Sequence, residues 1–186
     1  MATGLLPEEH TAEFRPAHRR EPLAEDDWTA VLQQRHRYRC WVWRRPGLDV
    51  AGIARGVSVE AMADWRLGPM ADDVALCVGE LMGNALTHGQ SAGGPVPVSL
   101  GLRYFPTCCL FVEVGDTSTA APLLTFPDPD SDPAEALLID GRGLMIVHRM
   151  ADYLWWRQLP GMGKTVYARL DTPRYFEPLA GGDEDV

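Results

Sequence analysis

The chain's apolar residues fall into blocks of two periods. From Val50 to about Leu67, the residues Val50, Ile53, Ala54, Val57, Ala61 and Trp65 recur at helical spacing, which predicts a first core helix weakened at Gly52 and Gly56. Asp49 stands where that helix would be capped. Gly68-Pro69 breaks the pattern, and Asp72 and Asp73 suit the opening turn of a second helix, where the dipole favours acids. In this second helix Val74, Val78, Leu81 and Ala85 occupy one arc and predict burial against a sheet. Beside that arc, in Ala75 to Gly89, runs a polar row: Glu80, Asn84 and His88 at four-residue intervals.

Elsewhere the period is two. Tyr38 to Arg44 has the aromatic and β-branched content of a strand and ends in the turn Arg45-Pro46-Gly47. Val96, Val98, Leu100, Leu102 and Tyr104 alternate with smaller or polar residues, predicting a strand with one buried face. After Pro106-Thr107, the run CCLFVEVGD reads as its antiparallel partner, ending on Asp116. A second hairpin is predicted from Tyr153–Gln158 and Thr165–Leu170, joined through Pro160-Gly161-Met162-Gly163. Between the hairpins, Leu144, Ile146, Val147 and Met150 predict a third helix. The proline- and aspartate-rich segment 117–140 lacks strand periodicity and is expected to be a lid, with a short helix at Ala134 to Leu138. The core domain is thus placed at 38–171. Residues 1–37 are expected to form a flexible N-terminal arm ending in a short helix around Trp28 to Gln34, and residues 172–186 a loose acidic tail.

Composition removes several classes of function. A formal charge of -9 argues against direct binding of nucleic acid or of an anionic membrane, both of which need a cationic footprint. No apolar run is long enough to span a bilayer and the first residues do not resemble a signal peptide, so a cytoplasmic location is expected. Cys40, Cys77, Cys108 and Cys109 lack zinc-site spacing and are expected to be reduced core residues. Of the 17 basic residues, 16 are arginine, and the single lysine is Lys164.

The candidate chemistry lies on the polar row and at the ends of the strands. Glu80 suits a proton acceptor, and Asn84, one turn on, suits a neutral oxygen ligand for a hard cation such as magnesium. Asp116 closes an apolar strand and needs a donor, either an adenine amino group or a backbone amide of the turn at Thr117-Ser118. Asp140-Gly141-Arg142-Gly143-Leu144 enters a helix, where exposed amides and missing Cβ atoms admit phosphate. Gly163-Lys164-Thr165 has the ending of a P-loop, but Gln158 stands where its first glycine is required and Thr165 opens a strand.

In order, these pieces are E-x-x-x-N-A-x-x-H on a helix, an Asp ending a strand, a lid, G-x-G-L before a helix, and G-x-G-K-T-V opening a final strand. The set resembles the Bergerat ATP-binding fold of the GHKL superfamily, which includes gyrase-type ATPases and histidine kinases. Within that superfamily it is similar to the small bacterial anti-sigma-factor serine/threonine kinases. The resemblance spans roughly Tyr38 to Leu170. It implies an α+β two-layer sandwich, with a mixed, mainly antiparallel sheet and helices on one face. ATP and magnesium are the implied cofactors.

By the same resemblance, Glu80 would be the catalytic base and Asn84 the magnesium ligand. Asp116 would accept the adenine amino group, with the small Ser118 beside it. Gly141 and Gly143 would let the lid's end and the helix start approach the phosphates, Thr165 would sit near adenine, and Arg142, Leu144 and Gly163 would belong to the same ATP site. His88 would either line the pocket or sit in the core, and Lys164 would either reach phosphate or lie on the hairpin surface. The implied partners are a sigma factor, an anti-anti-sigma protein of the STAS type and a second copy in a homodimer. One departure is plain: many relatives continue the strand-ending Asp as D-x-G-x-G, whereas this chain reads Asp116-Thr117-Ser118-Thr119-Ala120. Two functions follow as expectations. The first is a kinase that phosphorylates a Ser or Thr of the STAS partner and sequesters the sigma factor; the second is an ATP-sensing interaction module with little or no kinase activity.

Overall fold

The computed structural model describes residues 11–14, 36–47, 49–88, 96–106, 108–124 and 142–176. Its elements are β1 (Thr11–Phe14), β2 (Arg37–Trp43), α1 (Val50–Trp65), α2 (Ala71–His88), β3 (Val98–Phe105), β4 (Cys109–Asp116), α3 (Arg142–Met150), β5 (Tyr153–Leu159) and β6 (Gly163–Asp171), with single 3-10 turns at Gly68–Met70 and Thr172–Arg174. The strands form one sheet in the order β1-β5-β6-β4-β3-β2. All of its described pairings are antiparallel, so the mixed sheet of the sequence reading is corrected while the α+β two-layer architecture stands. Tight turns dictate two of the pairings: β3–β4 and β5–β6 are hairpins, and a hairpin can only pair antiparallel.

The helices cover one face. Val74, Val78, Leu81 and Ala85 of α2 are buried with Leu100 and Leu102 of β3, Val112 and Val114 of β4, and Val166 and Ala168 of β6. α1 packs against α2 through Ala54, Ala61 and Met62, and α3 adds Leu144 and Val147. The opposite face carries a chain of aromatic contacts: Phe105 meets Phe111 edge-on at 5.7 Å, Phe111 meets Trp155 edge-on at 5.8 Å, and Trp155 stacks on Tyr167 at 5.0 Å. Such edge-to-face and stacked pairs add specific attraction to the area they bury.

Several local expectations change. Asp49 occupies the N-cap position of α1, but its side chain makes no capping bond. α1 ends instead on Arg66 in the left-handed conformation, φ 60°, from which the chain donates back to the Ala63 and Met62 carbonyls. Within the stretch expected as a flexible arm, Thr11–Phe14 pairs with β5 at the sheet edge. The start of the tail is tied down as well. Tyr175 Oη donates to Asp73 Oδ2 at 2.7 Å and Arg174 Nη1 donates to the Met150 carbonyl at 2.7 Å, so residues 172–176 return to the start of α2 and the end of α3. The short helices expected at Trp28 to Gln34 and Ala134 to Leu138, and the lid beyond residue 124, lie outside the described residues.

The cysteines divide by position. Cys77 on α2 and Cys109 on β4 are buried, Cys108 is half-buried and Cys40 on β2 is exposed, which corrects the expectation that all four lie in the core. Burial, reinforced by the nearby Asp73 and Glu80 charges, pushes the Cys77 thiol up to about 12, and burial raises Cys109 as well. Only the thiolate is a good nucleophile, so both should be inert near neutral pH. Treating the folded protein with a maleimide at pH 8 should therefore label Cys40 first. Cys77 and Cys109 should react only after denaturation, as read by mass spectrometry of the digested chain.

Candidate functional site

The central helix α2 lies across the sheet with its apolar arc inward, which leaves the polar row at the edge of the core, facing the start of α3, the end of β4 and the start of β6. Between these elements is a cavity of about 300 Å³. Asn84 and His88 of α2, Asp116 at the end of β4, Ser118, Leu144 of α3, and Lys164 and Val166 of β6 line it. Leu81, Ala85 and Val114 supply apolar wall, and Ala120 to Leu123 border it from the first part of the expected lid. A mostly apolar concavity with a few convergent polar groups is the form that small-molecule sites take.

At one end, glycine permits a close approach. A Cβ on Gly143 would stand 2.6 Å from Glu80 Oε2 and 3.3 Å from Asn84 Nδ2. The first turn of α3 thus comes directly against the carboxylate and the amide, one helical turn apart on α2. Glu80 is half-buried and borders this end without lining the cavity itself. Among the described residues it forms no ion pair. Asn84 Nδ2 is buried and has no hydrogen-bond partner among them. A buried donor left in this condition costs free energy until an acceptor satisfies it, so Nδ2 fits a site for a phosphate oxygen. The amide oxygen is the atom that a magnesium ion would take.

At the other end stands an ion pair. Lys164 Nζ donates to Asp116 Oδ1 at 2.9 Å, and the side chains are 6% and 4% exposed. The Ser118 N–H also donates to Asp116 Oδ1, at 2.7 Å. The turn amide is therefore one of Asp116's donors, as the sequence alternatives allowed, and the lone lysine is the other. Gly163 permits this arrangement. It adopts φ +102°, and a Cβ there would lie 2.0 Å from the Asp116 carbonyl oxygen and 2.4 Å from Thr117 Cα.

Two readings are corrected here. Thr165 is not beside the cavity: alternation along β6 turns Lys164 and Val166 inward and Thr165 to the other face, where it sits near Gly115 and Tyr167. Lys164 neither lies on the hairpin surface nor extends toward the Glu80 end, because its ammonium is held by Asp116. His88 is exposed at the cavity's rim, not in the core. Gly141 and the Arg142 side chain lie outside the described residues. The sequence reading missed the apolar walls from Val114 and Val166 and the Asp116–Lys164 pair. A signal for the pair existed: Leu170, Ala168 and Val166 fix the inward parity of β6, and Lys164 is the next position in that series.

An antiparallel sheet backed by a helix that carries a carboxylate and an amide, with an acid ending a neighbouring strand and glycines at the two closing turns, defines a nucleotide-binding domain of the Bergerat class. A family model, the histidine kinase-like ATPase domain, matches residues 42–170, and the chain belongs to that family. Membership gives it an ATP-binding, kinase-like role. No curated protein matches the chain. Among the described residues, no helix is long and apolar enough to cross a membrane.

Proposed function

We propose that this chain is an ATP-dependent protein serine/threonine kinase of the anti-sigma-factor type, acting on an anti-anti-sigma partner with a STAS domain and holding a sigma factor, as a homodimer. The observation that carries this reading is the meeting of Glu80, Asn84 and Gly143 at one end of the cavity. Glu80 accepts the proton of a partner's seryl or threonyl hydroxyl. That oxygen bonds to the γ-phosphorus, the bond from γ-phosphorus to the bridging oxygen breaks, and ADP leaves. Magnesium, held by Asn84 and the phosphates, would offset the charge of the phosphate oxygens. Asp116, at the opposite end, takes the base, and the apolar walls at Leu81, Val114 and Val166 enclose it while excluding water.

A second reading, an ATP-sensing interaction module with little or no transfer activity, is favoured by two observations at Asp116. Asp116 is already engaged by Lys164 and Ser118, and its following loop lacks the glycines of many relatives.

Calorimetry with ATP and magnesium, on the wild type and on Asn84→Ala, tests the nucleotide part of the proposal. The wild type should bind only with magnesium present, and the variant about 10-fold or more weakly, the effect of losing one hydrogen bond or ligand bond to a charged group. Binding unaffected by either change removes Asn84 from the site. Labelled-phosphate transfer to a STAS protein then separates the kinase from the sensor: binding without transfer leaves only the second reading.

A further inference from the structure

We propose that Lys164 is a base-reading residue that works with Asp116 as a matched donor–acceptor pair, and that it donates to ring nitrogen N1 of a 6-aminopurine while Asp116 accepts from the 6-amino group. The inference rests on the ATP reading of the cavity and assigns one further contact within it.

Three observations carry the assignment. First, an ammonium and a carboxylate stand 2.9 Å apart in the wall of a cavity that is otherwise lined there by Val114, Val166 and the small Ser118, and both side chains are nearly inaccessible. Second, the described hydrogen bonds to Asp116, from Lys164 Nζ and the Ser118 N–H, both fall on Oδ1, which leaves Oδ2 as the acceptor for a ligand. Third, an ammonium has three donors and no acceptor, and its one described bond goes to Asp116, so it has donors to give to a ligand.

The edge of a 6-aminopurine shows a donor, the amino group, beside an acceptor, N1. The edge of the pair shows the complement, an acceptor beside a donor. Placing the base there satisfies groups that are already desolvated, and a site built in this way discriminates strongly, because an analogue lacking one partner strands a buried polar group.

Backbone geometry fixes the pair rather than side-chain flexibility. Asp116 and Lys164 are direct cross-strand partners in the β4–β6 register, and Gly163 lets the start of β6 close against the Asp116 and Thr117 backbone. The lysine is therefore presented at the position that the strand pairing dictates. A salt bridge serving stability alone would not need to line a cavity, whereas this one forms part of its wall.

The test compares ATP with 1-deaza-ATP, in which a C–H replaces N1, by calorimetry with magnesium on the full chain. The wild type should bind ATP about 10-fold or more tightly than the analogue, the range for leaving a charged donor unsatisfied. Lys164→Met, uncharged and matched to the lysine's aliphatic stem, should bind the two nucleotides equally, with circular dichroism confirming that it is folded. Equal affinity of the wild type for ATP and 1-deaza-ATP overturns the base-reading role and leaves nucleotide binding intact. Discrimination retained in Lys164→Met, or tighter ATP binding by that variant, overturns it too, the latter by showing the lysine to be an obstruction. Failure of the wild type to bind either nucleotide overturns this inference and the ATP reading together. The wild-type comparison needs no variant, so a poorly folding Lys164→Met does not remove the test.

Discussion

Glu80→Gln is expected to lower phosphate transfer to the STAS partner by roughly 10²- to 10⁴-fold, the range for removing a positioned general base, with ATP affinity unchanged. Glutamine keeps the shape and the hydrogen-bonding oxygen but cannot take the proton. Affinity should hold because Glu80 borders the cavity without lining it, while Asn84, Asp116 and Lys164 form its polar wall. Stability should hold because the side chain is half-buried and, among the described residues, forms no ion pair to be lost. Single-turnover transfer of labelled phosphate, with calorimetry alongside, separates the two effects. A variant that transfers phosphate at the wild-type rate removes Glu80 from the role of base, and one that loses ATP affinity in parallel shows it to be a binding residue.

The fold was legible because its two periods are clean. α2 shows Val74, Val78, Leu81 and Ala85 on one arc, and that arc is buried as the helical period requires; β3 shows Val98, Leu100 and Leu102 alternating, and they too are buried. Glu80 and Asn84 were legible for the same reason, since a four-residue spacing fixes their common face whatever the helix packs against. What was not legible depended on contacts between distant segments. β1 is only four residues long, and its pairing with β5 spans 140 to 146 positions of sequence, for which a local pattern carries no signal. The anchoring of Tyr175 to Asp73 is equally remote, 102 positions apart.

Thr165 and Lys164 show a different failure. A motif read as a block, G-x-G-K-T, treats neighbours as equivalent, whereas a strand sends neighbours to opposite faces. The buried series Leu170, Ala168, Val166 sets the parity, and by it Lys164 belongs to the cavity and Thr165 to the aromatic face. Parity outranks motif membership here because it is enforced by every residue of β6 that is packed in the core.

Gly163→Ala is expected to destabilise the protein by about 2–6 kcal/mol and to abolish nucleotide binding. Roughly 1–3 kcal/mol comes from forcing an L-residue into a conformation that only glycine adopts freely. A further 1–3 kcal/mol comes from overpacking. The backbone adopts φ +102° at this position, and the new methyl would stand 2.0 Å from the Asp116 carbonyl oxygen and 2.4 Å from Thr117 Cα. Both obstacles are main-chain atoms, so no side chain can rotate to relieve the contact. Relief has to come from opening β6 away from β4 where Asp116 pairs with Lys164, and that pulls apart the ion pair closing the cavity. Gly161, in the same turn, is the control. It also has a positive φ, +72°, but a Cβ there meets nothing within 4 Å. Gly161→Ala should therefore cost only about 1–2 kcal/mol, the left-handed penalty alone, and should bind ATP as the wild type does. Denaturant melts of the two variants, each with an ATP titration, decide the matter. Equal losses at both positions would mean that strain in the turn dominates and that contact with Asp116 and Thr117 does not shape the site. A large loss confined to Gly163 would tie the cavity to the close approach of the start of β6 to the Asp116 and Thr117 backbone.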